Sequence, residues 1–419
     1  GTTEVQLTGW NLPLRQLDVT RHDQHLGYRP LQLASDLWTT NSVRFASSSL
    51  PETSDTEPND ERETAQLISW PTMINGRIDQ AGDVDFFCMD AAAGDRVVVE
   101  VHARRLQSPL DSILEVTDEA GQRMAVNDDN DDHGSGLTTH HADSRLSITI
   151  PDDGRYYLRL ADTQRHGGSD YAYRVRVDRT RPDFELRVVP SSINMPAGAT
   201  VPITVYALRR DGFAGDINLS LSDAPAGFKL SGAWVPSGQD RVDLTLTAPQ
   251  SVEDQPISLV VEGTAEIGDN VVRRQAIPAD DMMQAFIYHH LVPSQDLLVA
   301  VNSRGRARAR VQIAESEPIA IPAGNTKRIQ LAIPRFARQA GIEFELSNPP
   351  DGISLQEVVE TRQGLALVVA ADDEKMKAGT KGNLIVSAFV VRNLGANQLR
   401  ANRRRIPVGT LPAIRFEVE

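Results

Sequence analysis

The chain has 419 residues, a formal net charge of −14, 40% hydrophobic and 5% aromatic residues, 29 Gly, 24 Pro and one Cys. That length exceeds a single core and suits three or four units of roughly 100–130 residues, with frequent Gly and Pro marking turns between short strands. The acidic balance argues against nucleic acid as a partner, one Cys excludes an internal disulfide framework, and no apolar run approaches the ~18 residues of a membrane helix.

The first elements, in chain order, read as β structure. Val5-Gln6-Leu7-Thr8 alternates and Gly9-Trp10-Asn11-Leu12-Pro13 breaks the alternation. Leu7 to Pro13 resembles the strand-ending turn of the IPT/TIG type of immunoglobulin-like domain, so residues 1–52 are expected to be a truncated copy of one. The abrupt opening at Gly1, almost in mid-strand, suggests a piece of a longer precursor whose signal peptide lies elsewhere. Pro51 to Thr56 reads as a polar acidic linker.

A run of short strands follows. Phe86 to Met89, Val97 to Val101, Ile113 to Val116, Met124 to Val126, Leu146 to Ile150, Tyr156 to Leu160 and Tyr171 to Val177 are separated by turns such as Ala93-Gly94-Asp95, Gly121 and Asp152-Asp153-Gly154. If consecutive strands alternate in direction, Asp85, Asp111, Asp128, Asp143 and Asp162 fall at one end of the sheets. Carboxylates gathered there repel unless a cation or an Arg neutralises them. Cys88, within Phe86-Phe87-Cys88-Met89, reads as a buried structural thiol.

Ca²⁺ takes six to eight oxygen ligands in loosely fixed geometry, and Glu57, Asn59 and Asp60 offer three oxygen-bearing side chains within four residues. The features Glu57-Pro58-Asn59-Asp60, Asn75-Gly76-x-Ile78, Gly82-Asp83-Val84-Asp85-Phe86-Phe87, Ala93-Gly94-Asp95, Ser108-Pro109-Leu110-Asp111, Asn127-Asp128-Asp129 and Asp153-Gly154-x-Tyr156-Tyr157-Leu158 occur in this order. Over residues 57–177 the chain thereby resembles the bacterial pre-peptidase C-terminal (PPC) domain, a relative of the collagen-binding domains of clostridial collagenases. The resemblance implies a jelly-roll-type β-sandwich with structural Ca²⁺, and it nominates Glu57, Asn59, Asp60 and Asp85 as ligands, with Asp83 beside them. The alternative for this segment is a solvated acidic linker followed by a Gly-Asp turn. A second, weaker site rests on the strand directions and draws on Asp111, Asp128, Asp129, Asp143 and Asp162. Its alternative is a set of Asx-turns and strand-end caps.

Residues 184–301 and 310–419 form an internal repeat. Ile193-Asn194-Met195-Pro196-Ala197-Gly198 matches Ile319-Ala320-Ile321-Pro322-Ala323-Gly324, and Ile203, Val205 and Ala207 match Ile329, Leu331 and Ile333. Gly215 with Ile217, Leu219 and Leu221 then matches Gly341 with Ile342, Phe344 and Leu346. Two copies of short strands with turn punctuation argue for tandem immunoglobulin-like sandwiches, joined near Asn302 to Ala309. The basic runs Arg304 to Arg310 and Arg403-Arg404-Arg405 read as an exposed strand face and a hairpin tip.

Catalytic motifs are missing: there is no His-Glu-x-x-His, no Gly-x-Ser-x-Gly and no phosphate-cradling Gly-rich loop. His133, His140, His141 and His166 sit in loops at irregular spacing and read as surface residues. Trp10, Trp38, Trp70 and Trp234 are too scattered to form an aromatic binding strip. The expected architecture is all-β, in tandem β-sandwiches: 1–52 truncated IPT/TIG-like, 53–178 PPC-like, 179–301 immunoglobulin-like, 302–419 a second immunoglobulin-like domain. The expected role is non-catalytic, as the accessory region of a secreted or cell-surface bacterial protein (extracellular, periplasmic or surface-bound). Candidate partners are an extracellular polysaccharide or a protein matrix. The alternative is an appended or maturation-removed domain of a secreted peptidase or other hydrolase whose catalytic part lies outside this chain.

Overall fold

The computed structural model describes residues 2–7, 9, 12, 14–20, 27–33, 35, 37–130, 143–250, 255–283, 289–302, 312–313, 317–332, 342–362, 364–394 and 402–419. The regular structure in those residues is almost wholly strand, and none of them forms a helix long and apolar enough to cross a membrane. The chain divides into two compact units, Gly1–Arg181 and Pro182–Glu419.

The first unit begins with two antiparallel hairpins, β1 (Thr2–Gln6) with β2 (Gln16–Thr20) and β3 (Gly27–Leu31) with β4 (Val43–Ser47). Ten strands then make a sandwich: β5 (Glu52–Ser54), β6 (Gln66–Leu67), β7 (Thr72–Arg77), β8 (Val84–Ala91), β9 (Arg96–His102), β10 (Ser112–Thr117), β11 (Arg123–Asn127), β12 (Arg145–Thr149), β13 (Gly154–Asp162) and β14 (Ala172–Arg179). One sheet runs β11-β10-β13-β8-β6 and the other β12-β9-β14-β7-β5. Period-two alternation sends Leu114 and Val116, Tyr156, Leu158 and Leu160, and Tyr173, Val175 and Val177 into one core with Phe87, Met89 and Ile74.

One feature of this unit differs from the reading of the sequence. Pro51 to Thr56 is not merely a linker, because Glu52–Ser54 pairs parallel to β7 and forms the edge of the second sheet. Strand β9 shows no alternation, since Val97 to Val101 are all buried. The cause lies on its outer face, where Glu100 is covered by Arg105 from the 3-10 turn Arg104–Leu106. Cys88 is buried and unpaired in any disulfide, and burial raises its thiol pKa.

The second unit holds two hydrophobic clusters, one drawn from residues 184–301 and one from 319–418. The matched sequence segments take matched places in them. Ser192–Pro196 runs parallel to Leu297–Asn302 with Ile193 opposite Val299, and Ile319–Ile321 runs parallel to Ile414–Val418 with Ile319 opposite Phe416. Ile333, Gly341 and the stretch 303–311 lie outside the described residues.

Between the clusters the Asn383 amide donates to the carbonyls of Gly232 (2.8 Å) and Asp243 (2.9 Å), and Trp234 lies under the Arg415 guanidinium at 4.2 Å. Gly232 has φ +71°, and a Cβ there would stand 2.4 Å from Asn383 Nδ2. Gly232→Ala is therefore expected to cost about 2–3 kcal/mol, from left-handed backbone strain plus loss of buried hydrogen bonds. Urea unfolding of the full chain measures it, and a loss within experimental error of zero would show that Asn383 moves away freely.

Candidate metal centre

Strand alternation places the first acid. Asp85 has the parity of Phe87 and Met89, so it points inward from β8 at the open end of the sandwich, and it is fully buried. Tyr173 does the same from β14, and its hydroxyl donates to Asp85 Oδ2 and, at 3.4 Å, to Asp55 Oδ2. Gly76 on β7 stands opposite Tyr173 in the ladder, and a Cβ on it would come within 2.4 Å of the tyrosine ring and hydroxyl. The missing side chain at Gly76 is what lets the ring lie across the strand and reach the acids. Gly76→Ala is expected to push Tyr173 off Asp85 and to destabilise the sandwich by about 1–3 kcal/mol. Calorimetry with and without metal would read both effects, and an unchanged melting temperature would refute this role for Gly76.

The segment 55–60 closes over that end. The Phe86 amide donates to the Asn59 carbonyl (2.9 Å), the Asn59 amide to Glu57 Oε2 (3.0 Å), and Asn59 Nδ2 to Asp55 Oδ1 (2.7 Å). Asp83 accepts from the amides of Asp79 (2.6 Å) and Val84 (3.0 Å), which fixes the turn before β8. Carboxylate oxygens of Asp55, Glu57 and Asp85 lie within 4.8 Å of one another, as do those of Glu57, Asp60 and Asp83, with Glu57 common to both groups.

Five carboxylates so placed disfavour ionisation. Two charges about 5 Å apart repel by roughly 3 kcal/mol at an effective dielectric of ~20, more than one hydrogen bond returns. Burial, followed by the neighbouring carboxylates Asp55, Asp83 and Glu57, raises the Asp85 pKa from 3.8 to about 8, against the lowering effect of the Tyr173 hydrogen bond. Burial is also the first cause that raises Asp55, Glu57 and Asp83. The charged groups that act most strongly on these four are other carboxylates, not Lys or Arg.

Within this cluster Asn59 Oδ1 and Asp85 Oδ1 are buried and have no hydrogen-bond partner. Leaving a buried acceptor unsatisfied costs about 1–3 kcal/mol. Oxygen donors only, mostly anionic and on segments that meet from two sides, are the donor set of a hard divalent cation. The residues present therefore fit Ca²⁺. All five acids and amides nominated from the sequence (Glu57, Asn59, Asp60, Asp83, Asp85) are in this cluster. Asp55 and Tyr173 were missed. The i, i+2 spacing of Asp55 and Glu57 on an extended segment was the available signal for the first, and no local pattern marks Tyr173.

The second set fares differently. The register places Asp85, Asp111, Asp128 and Asp162 at one end of the first sheet, since Leu160 lies opposite Asp85, Asp162 opposite Ser112 and Asn127 opposite Leu114. Yet among the described residues Asp111, Asp128, Asp129, Asp143 and Asp162 form no group of three converging ligand oxygens. Asp143 accepts from the amides of Ala103, Arg104 and Arg105 and from Arg105 Nε at 2.8 Å. Asp162 accepts from the amides of Asp111, Gln164 and His166, and Asp111 Oδ2 accepts from the Thr163 hydroxyl at 2.7 Å. Turn-capping and the Arg105 pair thus engage the carboxylates of Asp111, Asp143 and Asp162. His133, His140 and His141 lie outside the described residues, and His166 is exposed in its loop.

Residues 83–162 match the family described as the bacterial pre-peptidase C-terminal domain. The match begins at Asp83 and leaves out the Glu57–Asp60 segment. Over 108 residues the chain is 34% identical to a probable subtilase-type serine protease of Deinococcus radiodurans, a stretch that is 25% of this chain and 14% of that protein. The chain thus spans a small fraction of that relative's length. Among solved structures, the pre-peptidase C-terminal domain of a collagenase from Bacillus anthracis aligns with 30% of this chain and 100% of its own, at 15% identity and a TM-score of 0.22. The D00-D0 domain of intimin aligns with 56% of this chain and 99% of its own, at 14% identity and a TM-score of 0.19.

Proposed function

We propose that this chain is a non-catalytic accessory region of a secreted or cell-surface bacterial protein, and that its PPC-like sandwich binds Ca²⁺ structurally. The observation that carries the metal reading is the pair of buried, unpartnered oxygens, Asn59 Oδ1 and Asp85 Oδ1, inside a cluster of five carboxylates. Asp55, Glu57, Asn59, Asp60, Asp83 and Asp85 would hold the cation. When bound, it supplies positive charge that neutralises these acids and joins segment 55–60 to the start of β8. The protein's own part is to hold the oxygens in place: Tyr173 orients Asp85, and the Phe86 amide ties Asn59 to the strand.

With a dissociation constant of about 10⁻⁴ M and roughly millimolar free calcium, binding adds about 1.4 kcal/mol of stability. That is enough to order a linker and a modest part of a domain's total. A melt of the full chain in chelator and in millimolar Ca²⁺ tests the reading: a rise of several degrees is expected, and no rise would remove the metal from the account. The similarity to a subtilase-type protease favours a second, narrower reading, in which the region is appended to a secreted peptidase whose catalytic part lies outside this chain. Sequencing the gene beyond both ends tests it directly. A polysaccharide and matrix-protein array tests for an extracellular ligand.

A further inference from the structure

The first unit contains an open cavity of about 460 Å³, on the face of β14 opposite to the one that carries Tyr173. Tyr173 and Val175 point into the sandwich core, so alternation turns Arg174 outward. The register sets Asn75 of β7 opposite Arg174, and Glu52 of β5 joins them on the same face. The Glu52 carboxylate accepts from Asn75 Nδ2 at 3.0 Å and from Arg174 Nη2 at 2.6 Å.

Strand β4 crosses above these residues. Its Ala46 carbonyl accepts from Arg174 Nη1 at 2.8 Å, and Arg44 Nη1 donates to the Arg105 carbonyl at 3.3 Å. The cavity lies between, and its volume falls within the roughly 300–1,000 Å³ of small-molecule sites. Its lining has two chemical halves. One half is apolar, from Val19, Phe45, Leu50 and Leu106. The other carries the guanidinium groups of Arg44 and Arg174, and Glu52 is the one carboxylate among the described lining residues. Glu52 is already shared between Asn75 and Arg174, whereas the two bonds of Arg174 use only two of the five N–H donors of a guanidinium. The cavity therefore has an excess of one positive charge in a protein whose net charge is −14.

We infer that this cavity binds a small monocarboxylate with an apolar body, its carboxylate held by Arg174 and Arg44. Guanidinium groups match carboxylates in geometry and form charge-assisted hydrogen bonds with them. An excess of a single charge suits one carboxylate rather than a polyanion, and the apolar half gives the rest of the ligand a place to leave water. The C-terminus of a peptide ending in an apolar residue and a free apolar acid share this chemistry. The inference concerns the outer face of the second sheet and does not rest on calcium.

The test is a ligand-observed NMR titration of the full chain with N-acetyl-phenylalanine, with its uncharged amide, with galacturonate (a carboxylate on a polar body) and with a tetrapeptide ending in Phe. N-acetyl-phenylalanine is expected to bind, and the amide and galacturonate to bind at least about 10-fold more weakly. Arg174→Gln should weaken binding roughly 10-fold or more, and Arg174→Lys should recover part of the loss, since it restores the charge without the fork. Arg174 also ties β4 to the sandwich, so a second variant, Ser47→Phe, blocks the cavity from its lining without removing any bond named above. It should abolish binding while its urea unfolding curve matches wild type. No binding of N-acetyl-phenylalanine or of the tetrapeptide overturns the inference, as does equal binding of the amide or unchanged binding by Ser47→Phe. Galacturonate binding as tightly as N-acetyl-phenylalanine overturns the apolar body. Tighter binding of the tetrapeptide than of N-acetyl-phenylalanine assigns the site to peptide ends, and the reverse order assigns it to free acids.

Discussion

Asp143→Ala is expected to destabilise the first unit by about 3–5 kcal/mol, because it removes one partner of a buried ion pair and leaves the other charged group behind. Asp143 is fully buried and holds three consecutive amides, Ala103, Arg104 and Arg105, as well as Arg105 Nε. Arg105 is itself buried, and its two remaining nitrogens donate to Glu100 Oε1 (2.8 Å) and to the Val101 carbonyl (2.6 Å). Without the carboxylate, the 3-10 turn Arg104–Leu106 loses its anchor, and Arg105 keeps a Glu100 that it shares with Arg176. Against a typical domain stability of about 5–15 kcal/mol, that loss is large. Replacing both partners with apolar residues of similar volume should cost much less than the single change, as paired desolvation is removed together with the pairing. Urea unfolding reads all three proteins, and a single-variant loss below about 1 kcal/mol would contradict the anchoring role. The same variant separates Asp143 from metal chemistry, for its calcium-induced rise in melting temperature should equal that of wild type.

Calcium stabilisation is expected to grow as pH rises from 6 to 8, while the metal-free protein loses stability over the same interval. Asp85 titrates at about 8 in the folded protein against an ordinary 3.8, chiefly because burial withdraws it from water. The folded state therefore holds this proton more tightly than the unfolded chain does. Its contribution is fully present below the ordinary carboxylate range and is lost progressively as pH climbs towards the folded value. Asp55, Glu57 and Asp83 are shifted in the same direction by burial and act with the same sign. A cation needs the ionised forms, so its binding displaces protons and tightens with pH. Isothermal titration in two buffers of different ionisation enthalpy should detect proton release near neutral pH. Asp85→Asn should raise the metal-free melting temperature at pH 8 by removing the buried charge, and should abolish the calcium-induced rise, which for about 1.4 kcal/mol is roughly 4–8 °C in wild type. Equal calcium shifts at pH 6 and 8, or a full shift in the variant, would place the ion elsewhere.

The first candidate site was largely legible in the sequence because its ligands are local. Glu57, Asn59 and Asp60 are fixed by a four-residue segment, and Asp83 and Asp85 by a turn and the alternation that follows it. Asp55 was hidden by its context, since a short edge strand of polar residues looks like a linker until its parallel partner β7 is known. Tyr173 was hidden by distance: its role depends on a ladder that sets it opposite Gly76, far away in the chain. The second set shows the converse. Counting strand directions brings five carboxylates to one end, but not their hydrogen-bond partners, and the amides of residues 103–105 and the Arg105 guanidinium decide what Asp143 does.

By itself, the sequence determined the all-β class, the repeat that starts at Ile193 and again at Ile319, the burial of Cys88 and most of the acidic cluster around Asp85. These follow from periodicity, turn residues and local spacing, which the chain carries in every few residues. Only the tertiary structure decided which acids converge on one another and which are neutralised by Arg or by backbone amides. It also decided that Gly76 gives way to Tyr173. Those outcomes depend on register and burial between segments remote in sequence, where a side chain's energy is set by neighbours that no local pattern names.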